Sequence, residues 1–126
     1  MKIHVEITRE PLESRGVSGA DGASGAVIEF AGVVRGDEGD RAIAALDYEA
    51  YEAMARSEME RIVRELSARY PCHAVEIRHR MGRVPVGEAS ILVRIEAKHR
   101  AEALGMLTEF MDRLKRDVPI WKKASP

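Results

Sequence analysis

The chain has 126 residues, of which 20 are Lys or Arg and 21 are Asp or Glu, so its formal net charge is −1 with histidine neutral. This balance excludes a basic nucleic-acid coat protein, and a composition that is 45% hydrophobic and 33% charged is typical of a globular domain with its own core. Because Cys72 is the only cysteine, the chain cannot form an internal disulfide or, by itself, a cysteine-based zinc or iron–sulfur site.

The N-terminal segment, residues 2–8, alternates polar and apolar side chains, which predicts a half-buried strand. Its charged residues interrupt the apolar run that a secretory signal needs. No segment approaches the ~20 apolar residues of a membrane span. We therefore expect a cytoplasmic protein that does not enter a membrane.

Residues 9–25 are rich in Gly, Ser and Ala, which predicts a mobile surface loop at about 9–25 inside a single domain that spans residues 1–126. The apolar run at 26–34 predicts a strand buried on both faces. A turn rich in Gly and Asp at 36–41 and a second strand over 43–51 complete a predicted hairpin.

A helix is predicted over 52–70, because apolar residues recur there at helical spacing before Pro71 stops the pattern. Strands follow over 74–81 and 91–97, then a second helix whose apolar positions run from 103 to 114, and a short closing strand within 118–123. On the first of these strands His79 falls on the apolar face, which favours a core histidine over a catalytic one. The order predicts an α+β fold with a mixed, largely antiparallel sheet and two main helices.

The densest basic segment is 113–123, with five cations. Lys115 is expected in the last turn of the second helix, where the helix dipole favours a cation, so one interpretation is a solvated helix end. However, Pro119 ends the helix, Trp121 is the only tryptophan, and the turn can bring Lys122 beside Lys115. Lysines placed in this way can act as a nucleophile or as acid/base groups, and both interpretations stay open.

Further basic residues lie where predicted elements end. Lys98, His99 and Arg100 precede the second helix, where they oppose the helix dipole but suit an anion site; a surface or capping role is the alternative for His99. Arg35 follows an apolar strand and can reach a phosphate or carboxylate. Cys72 has no evident base partner, which indicates an inert thiol. The spacing of histidines and carboxylates predicts no metal site.

Five segments, in this order, resemble the large, catalytic subunit of molybdopterin synthase: GAVIEFAGVVR, LDYEAYEAMA, IRHRMGRVPVGE, AKHRAEAL and MDRLKRDVPIWKK. The resemblance implies an α/β-hammerhead-like fold. It also implies an enzyme, a sulfurtransferase of molybdenum cofactor biosynthesis that moves sulfur onto cyclic pyranopterin monophosphate and forms the dithiolene of molybdopterin. It implies neither a metal nor a redox cofactor.

By this resemblance the catalytic residues are Lys115 and Lys122. Lys115 would contact the terminal carbonyl of a sulfur carrier, while Lys122 would act as an acid/base or as electrostatic support. The positions that match the family's substrate-binding and pocket-lining residues are Arg35, His99, Arg100, Phe30 and Met111.

The resemblance also implies partners. The sulfur arrives on a small ubiquitin-like carrier whose C-terminal Gly-Gly ends in a thiocarboxylate. The catalytic subunits form a homodimer within a heterotetramer, so His99 and Arg100 are expected to serve the neighbouring subunit; no nucleic-acid partner is expected. Members of the family usually continue beyond the IWKK segment, whereas this sequence reads Ala124-Ser125-Pro126 there. The alternative expectation is a non-catalytic docking or anion-binding homologue without the family's C-terminal tail.

Overall fold

The computed structural model describes residues 1–17 and 22–126, and within them it contains two helices and nine strands. The helices are α1 (Glu52–Leu66) and α2 (Arg100–Asp117). The strands are β1 (Lys2–Thr8), β2 (Ala26–Val33), β3 (Asp37–Glu38), β4 (Arg41–Ala42), β5 (Ala45–Ala50), β6 (Ala74–Arg80), β7 (Gly82–Pro85), β8 (Ala89–Ala97) and β9 (Ile120–Ser125).

Two sheets organise the chain. The first has the order β1-β6-β8-β2, in which β1 is parallel to β6 and the other pairs are antiparallel. The second has the order β7-β5-β9 and is antiparallel throughout, and β3 and β4 form a small separate ladder. The prediction of an α+β domain with a mixed, largely antiparallel sheet and two helices is therefore confirmed.

Both helices pack on one face of the first sheet and bury the main core there. Alternate residues of β6 and β8, such as Ile77 and Val93, are fully buried against α1 and α2. The predicted helical stripe of α1 is buried up to Leu66, where the helix ends earlier than the spacing indicates. Beyond it, Tyr70 packs against α2 at Gly105, where an added Cβ would lie 2.3 Å from the ring.

The predicted pairing of the second strand is wrong. Strand β2 does not form a hairpin with β5; it pairs with β8, while β5 pairs with β7 and β9 in the second sheet. The reason is burial, because β5 places Leu46 in a separate apolar cluster with Val34 and Val84. Nor is β2 buried on both faces, since it is an edge strand with Glu29 exposed.

A glycine lets the chain pass between the sheets. Strand β6 ends in the first sheet and β7 begins in the second, and Gly82, the first residue of β7, has a φ of +80°, a conformation that residues other than glycine rarely adopt. The sequence pattern did not separate β7 from its neighbours, because this short strand has no periodicity of its own.

The long loop lies partly outside the described residues, since 18–21 are not among them. Its described part lies against the face of the first sheet that the helices leave open. Arg15 forms an ion pair with Glu76 at 2.9 Å, and Arg78 donates a hydrogen bond to the Glu13 carbonyl at 2.9 Å. The mobility of this loop stays a prediction.

Candidate active site

A cavity of about 510 Å³ opens where the two sheets meet the C-terminal end of α2. Its lining comes from five strands and one helix, and it combines apolar and aromatic walls with two lysines and a histidine. The lining residues are Phe30, Gly32, Val33, Tyr48, His79, Ser90, Ile91, Met111, Leu114, Lys115, Ile120, Trp121 and Lys122.

The floor of the cavity is one row of the first sheet. Gly32 pairs with Ile91, and Ile91 pairs with His79, so all three lie across the same position of the sheet. A Cβ at Gly32 would lie 2.8 Å from Cγ2 of Ile91. Only glycine therefore allows the two strands to pack this closely in the row. The pairing of β2 shifts register between Gly32 and Val33, an irregularity typical of a β-bulge.

The two lysines reach the cavity from opposite sides of a sharp turn. Lys115 lies in the last turn of α2, which ends when Val118 adopts an extended backbone. Pro119 follows, its carbonyl accepts a hydrogen bond from the Tyr51 amide at 3.2 Å, and β9 then carries Lys122 back along β5. In this way the turn places both Lys115 and Lys122 in the lining of one cavity.

Both ammonium groups are available to a ligand. Every ion pair among the described residues involves other side chains, so neither Lys115 nor Lys122 is neutralised by a carboxylate there. Two unpaired cations beside apolar walls attract an anion more strongly than they would in open water. Of the remaining predicted site residues, Phe30 and Met111 line the same cavity.

The other three predicted site residues do not line this cavity. Arg35 is exposed beyond the end of β2, His99 caps the start of α2 without a side-chain capping bond, and Arg100 is the first residue of that helix. Since Arg100 and Lys115 are fifteen residues apart on one helix, roughly 22 Å of helix separates them. None of the three is among the residues that line the lysine cavity, and within one chain His99 and Arg100 lie at the opposite end of α2 from it.

Sequence reasoning missed the role of His79 and Tyr48 in the cavity. His79 is buried, as predicted, with 4% of its surface exposed, but it also forms part of the floor. Burial lowers the pKa of His79 to about 4, and its Nδ1 lies 2.9 Å from the Arg80 carbonyl oxygen. The Tyr48 ring packs edge-on against the imidazole, with 5.2 Å between centroids. Only strand pairing reveals these neighbours.

Trp121 forms the rim of the cavity. The residue is 44% exposed, and its ring packs edge-on against Tyr51, with 5.2 Å between centroids. Among residues 1–17 and 22–126, no group of three or more His, Cys, Asp and Glu side chains could hold a metal ion. In the same part of the chain, neither helix has the length and apolar character to cross a membrane.

Comparison with known proteins shows the family to which the chain is similar. The model of the family described as MoaE protein matches residues 7–117. The molybdopterin synthase catalytic subunit of Oryza sativa subsp. indica is 43% identical over 103 residues, which cover 82% of this chain and 53% of that protein. Molybdopterin synthase catalytic subunit 1 of Aedes aegypti is 37% identical over 123 residues, which cover 95% of this chain and 79% of that protein. The chain thus spans about half the length of the rice relative.

Solved structures have the same fold. The crystal structure of molybdopterin synthase from Staphylococcus aureus superposes with a TM-score of 0.87 at 30% identity, over 94% of this chain and 88% of that one. The complex of subunits 1 and 2 of the molybdopterin-converting factor from Helicobacter pylori contains a chain with a TM-score of 0.76 at 23% identity, over 97% of this chain and 83% of that one. At that identity the second likeness concerns the fold alone.

Proposed function

Because the chain belongs to the MoaE family, we propose that it is the sulfur-transferring catalytic subunit of a molybdopterin synthase. Its substrate is cyclic pyranopterin monophosphate, and its product is the dithiolene of molybdopterin. The sulfur donor is the C-terminal thiocarboxylate of a small ubiquitin-like carrier protein. The observation that carries the proposal is the cavity in which Lys115 and Lys122 meet without a described carboxylate partner.

The charge of the cavity suits both reactants. A thiocarboxylate and a cyclic phosphate are anions that repel each other, and two lysines without a carboxylate partner among the described residues, beside apolar walls, draw them to one place. Lys115 stabilises charge on the carrier's terminal carbonyl during sulfur transfer. Lys122, on the facing strand, supplies a proton or a positive charge as the cyclic phosphate opens.

The walls suit the carrier's tail. A Gly-Gly terminus has no side chains, so it can enter a cavity whose floor is packed as closely as that at Gly32. Phe30 and Met111 contribute apolar surface beside Lys115, which excludes water from the reacting thiocarboxylate.

In this proposal, the basic residues at the start of α2 act in the site of a second copy of the chain. His99 and Arg100 carry no role that their own cavity can use, because Arg100 is roughly 22 Å of helix away from Lys115. In a homodimer within a heterotetramer, these residues bind the pterin and its phosphate in the neighbouring subunit's site.

A single-turnover experiment tests the function. Purified protein is mixed with thiocarboxylated carrier and cyclic pyranopterin monophosphate, and dithiolene formation is followed over time. We expect conversion that requires all three components. If the protein is folded and binds the carrier but forms no dithiolene, it is a docking protein and the proposed activity is wrong.

A further inference from the structure

The imidazole of His79 has one definite tautomer. Its Nδ1 lies 2.9 Å from the carbonyl oxygen of Arg80, and a carbonyl oxygen can only accept a hydrogen bond. Nδ1 therefore carries the proton and donates it to that carbonyl. The second nitrogen, Nε2, is left with an unprotonated lone pair, which can only accept.

That lone pair is open to the cavity. Among the described residues, two side-chain polar atoms are fully buried and lack a hydrogen-bond partner, Arg80 Nε and Glu102 Oε2. Nε2 of His79 is not one of these buried atoms, so it is accessible from the cavity if it has no partner. The described residues also offer Nε2 no hydrogen-bond partner, although His79 lines the cavity floor. An accessible acceptor at the floor of a cavity is an unused binding group.

The imidazole is uncharged under physiological conditions. Burial lowers its pKa to about 4, and the charged groups that share its cavity are the cations Lys115 and Lys122, which oppose a further positive charge. A group with so low a pKa is a poor general base or acid near neutral pH. His79 is thus suited to accept a hydrogen bond, not to transfer a proton.

A hydrogen-bond acceptor adds a function that the two lysines of the cavity cannot provide. Lysine ammonium groups only donate hydrogen bonds, so they bind anionic parts of a ligand but not its N–H groups. The walls are also rich in aromatic rings: the chain has six aromatic residues, and three of them, Phe30, Tyr48 and Trp121, line this cavity. Aromatic walls favour a flat ring system over an aliphatic chain.

We propose that Nε2 of His79, held in place by the Tyr48 ring, accepts a hydrogen bond from a ring N–H of a flat nitrogen heterocycle and so selects the pterin substrate. The proposal rests on the proposed function, which supplies the pterin, and it adds a specificity-determining residue to the lysines. The imidazole contacts the ring, while the lysines contact the anionic groups.

Two substitutions separate the two ring nitrogens. His79→Asn keeps an amide N–H near the position of Nδ1, for the Arg80 carbonyl, and removes the acceptor at Nε2. His79→Gln places an amide oxygen near the position of Nε2. His73→Asn is the matched control, because the Nδ1 of His73 also makes a hydrogen bond, with Ser24 Oγ at 2.8 Å, but His73 lies outside the cavity.

The measurement is the dissociation constant of cyclic pyranopterin monophosphate and, separately, of the carrier without its sulfur. We expect His79→Asn to weaken pterin binding about tenfold or more, His79→Gln to recover most of that loss, and His73→Asn to change neither constant. Carrier binding should change less than about twofold in all three variants. Unchanged pterin binding in a folded His79→Asn variant would overturn the proposal, and so would an equal loss for pterin and carrier.

A second measurement uses the wild-type protein and does not depend on how the variants fold. A pterin analogue with its ring N–H groups methylated should bind the wild type about tenfold more weakly than the parent compound. An analogue that binds as well as the parent compound overturns the proposal. Wild-type turnover with parent substrate distinguishes this failure from failure of the proposed function: normal turnover with no effect of methylation refutes the His79 role alone.

Discussion

Lys122 lies directly opposite Tyr48 in the antiparallel pairing of β9 with β5, so their side chains leave the same face of the second sheet. Because the Tyr48 ring also packs against His79 of the first sheet, this pair joins the two sheets at the cavity. The register of β9 therefore decides whether Lys122 points into the site, since a shift of one residue would turn it to the other face.

Replacing Lys115 by alanine should lower the single-turnover rate of dithiolene formation by about 100-fold or more, because in the proposed mechanism the cavity loses a cation that stabilises charge in the transition state. The fold should persist, since Lys115 is exposed in the last turn of α2. Circular dichroism and the thermal midpoint check the fold. A variant with full activity would remove Lys115 from the mechanism.

Replacing Lys122 by alanine should also abolish most of the turnover, with carrier binding retained. The matched control is Lys123→Ala, which removes the same charge from the next residue of β9, outside the cavity lining. Because successive strand residues face opposite ways, the control should keep at least about half of the wild-type rate. Equal losses in both variants would mean that only the net charge of the C-terminal segment matters.

Gly32→Ala should destabilise the protein and distort the floor of the cavity. The new Cβ would lie 2.8 Å from Ile91 Cγ2, and overpacking of this kind costs about 1–3 kcal/mol. Urea unfolding measures the loss, and turnover should fall with it. Gly36→Ala is the control, since its Cβ would meet its nearest atom, Cγ1 of Val86, only at 3.8 Å. Equal free energies of unfolding for the two variants would contradict the packing argument.

The stability of the protein should fall at acid pH in a way that depends on His79. Burial lowers the folded-state pKa of His79 from 6.5 to about 4, so between these values the unfolded chain binds a proton that the folded chain does not. Stability is then fully present above pH 6.5 and is lost as the pH falls towards 4, by about 3 kcal/mol in total.

The comparison with His79→Asn isolates this effect, because all other groups titrate in both proteins. The difference in the free energy of unfolding between wild type and variant should shrink from pH 6.5 to 4 and then level off. A difference that is constant across this range would show that His79 is not held neutral by burial.

Cys72 should react slowly with thiol reagents in the folded protein. Burial, with a smaller contribution from Glu102, raises the pKa of its thiol from 9.0 to about 11, so at pH 8 the thiolate fraction is about 100-fold lower than for an ordinary thiol. Absorbance-monitored labelling with an aromatic disulfide, in buffer and in urea, checks this. Rapid labelling of one thiol per chain without urea would contradict it.

Much of the local structure could be predicted from periodicity alone. The alternation of residues 2–8 and 74–80 corresponds to β1 and β6, and the apolar stripe of α1 is buried as its spacing indicates. The placement of both lysines at one cavity was also predictable, because only six residues lie between Lys115 and Lys122 and one of them is a proline that must end the helix. Such features depend on neighbours in the chain, which the sequence shows directly.

The pairing of strands and the surroundings of His79 could not be predicted in this way. An apolar pattern specifies which face of a strand is buried, but not which distant strand it pairs with, so β2 and β5 were wrongly joined in one hairpin. His79 matched the pattern of a core residue, and only the meeting of the two sheets gives it Tyr48 and the cavity as neighbours.

By itself, the sequence determined the helices, most strands, the family resemblance and the turn that places Lys115 and Lys122 at one cavity, since each is encoded within a short segment. Only the tertiary structure decided that Arg35, His99 and Arg100 are not among the residues that line the lysine cavity and that Gly32, Ile91 and His79 form its floor. These relationships arise from hydrogen-bond ladders and apolar burial between residues that are far apart in the chain, and such long-range contacts leave no local signal.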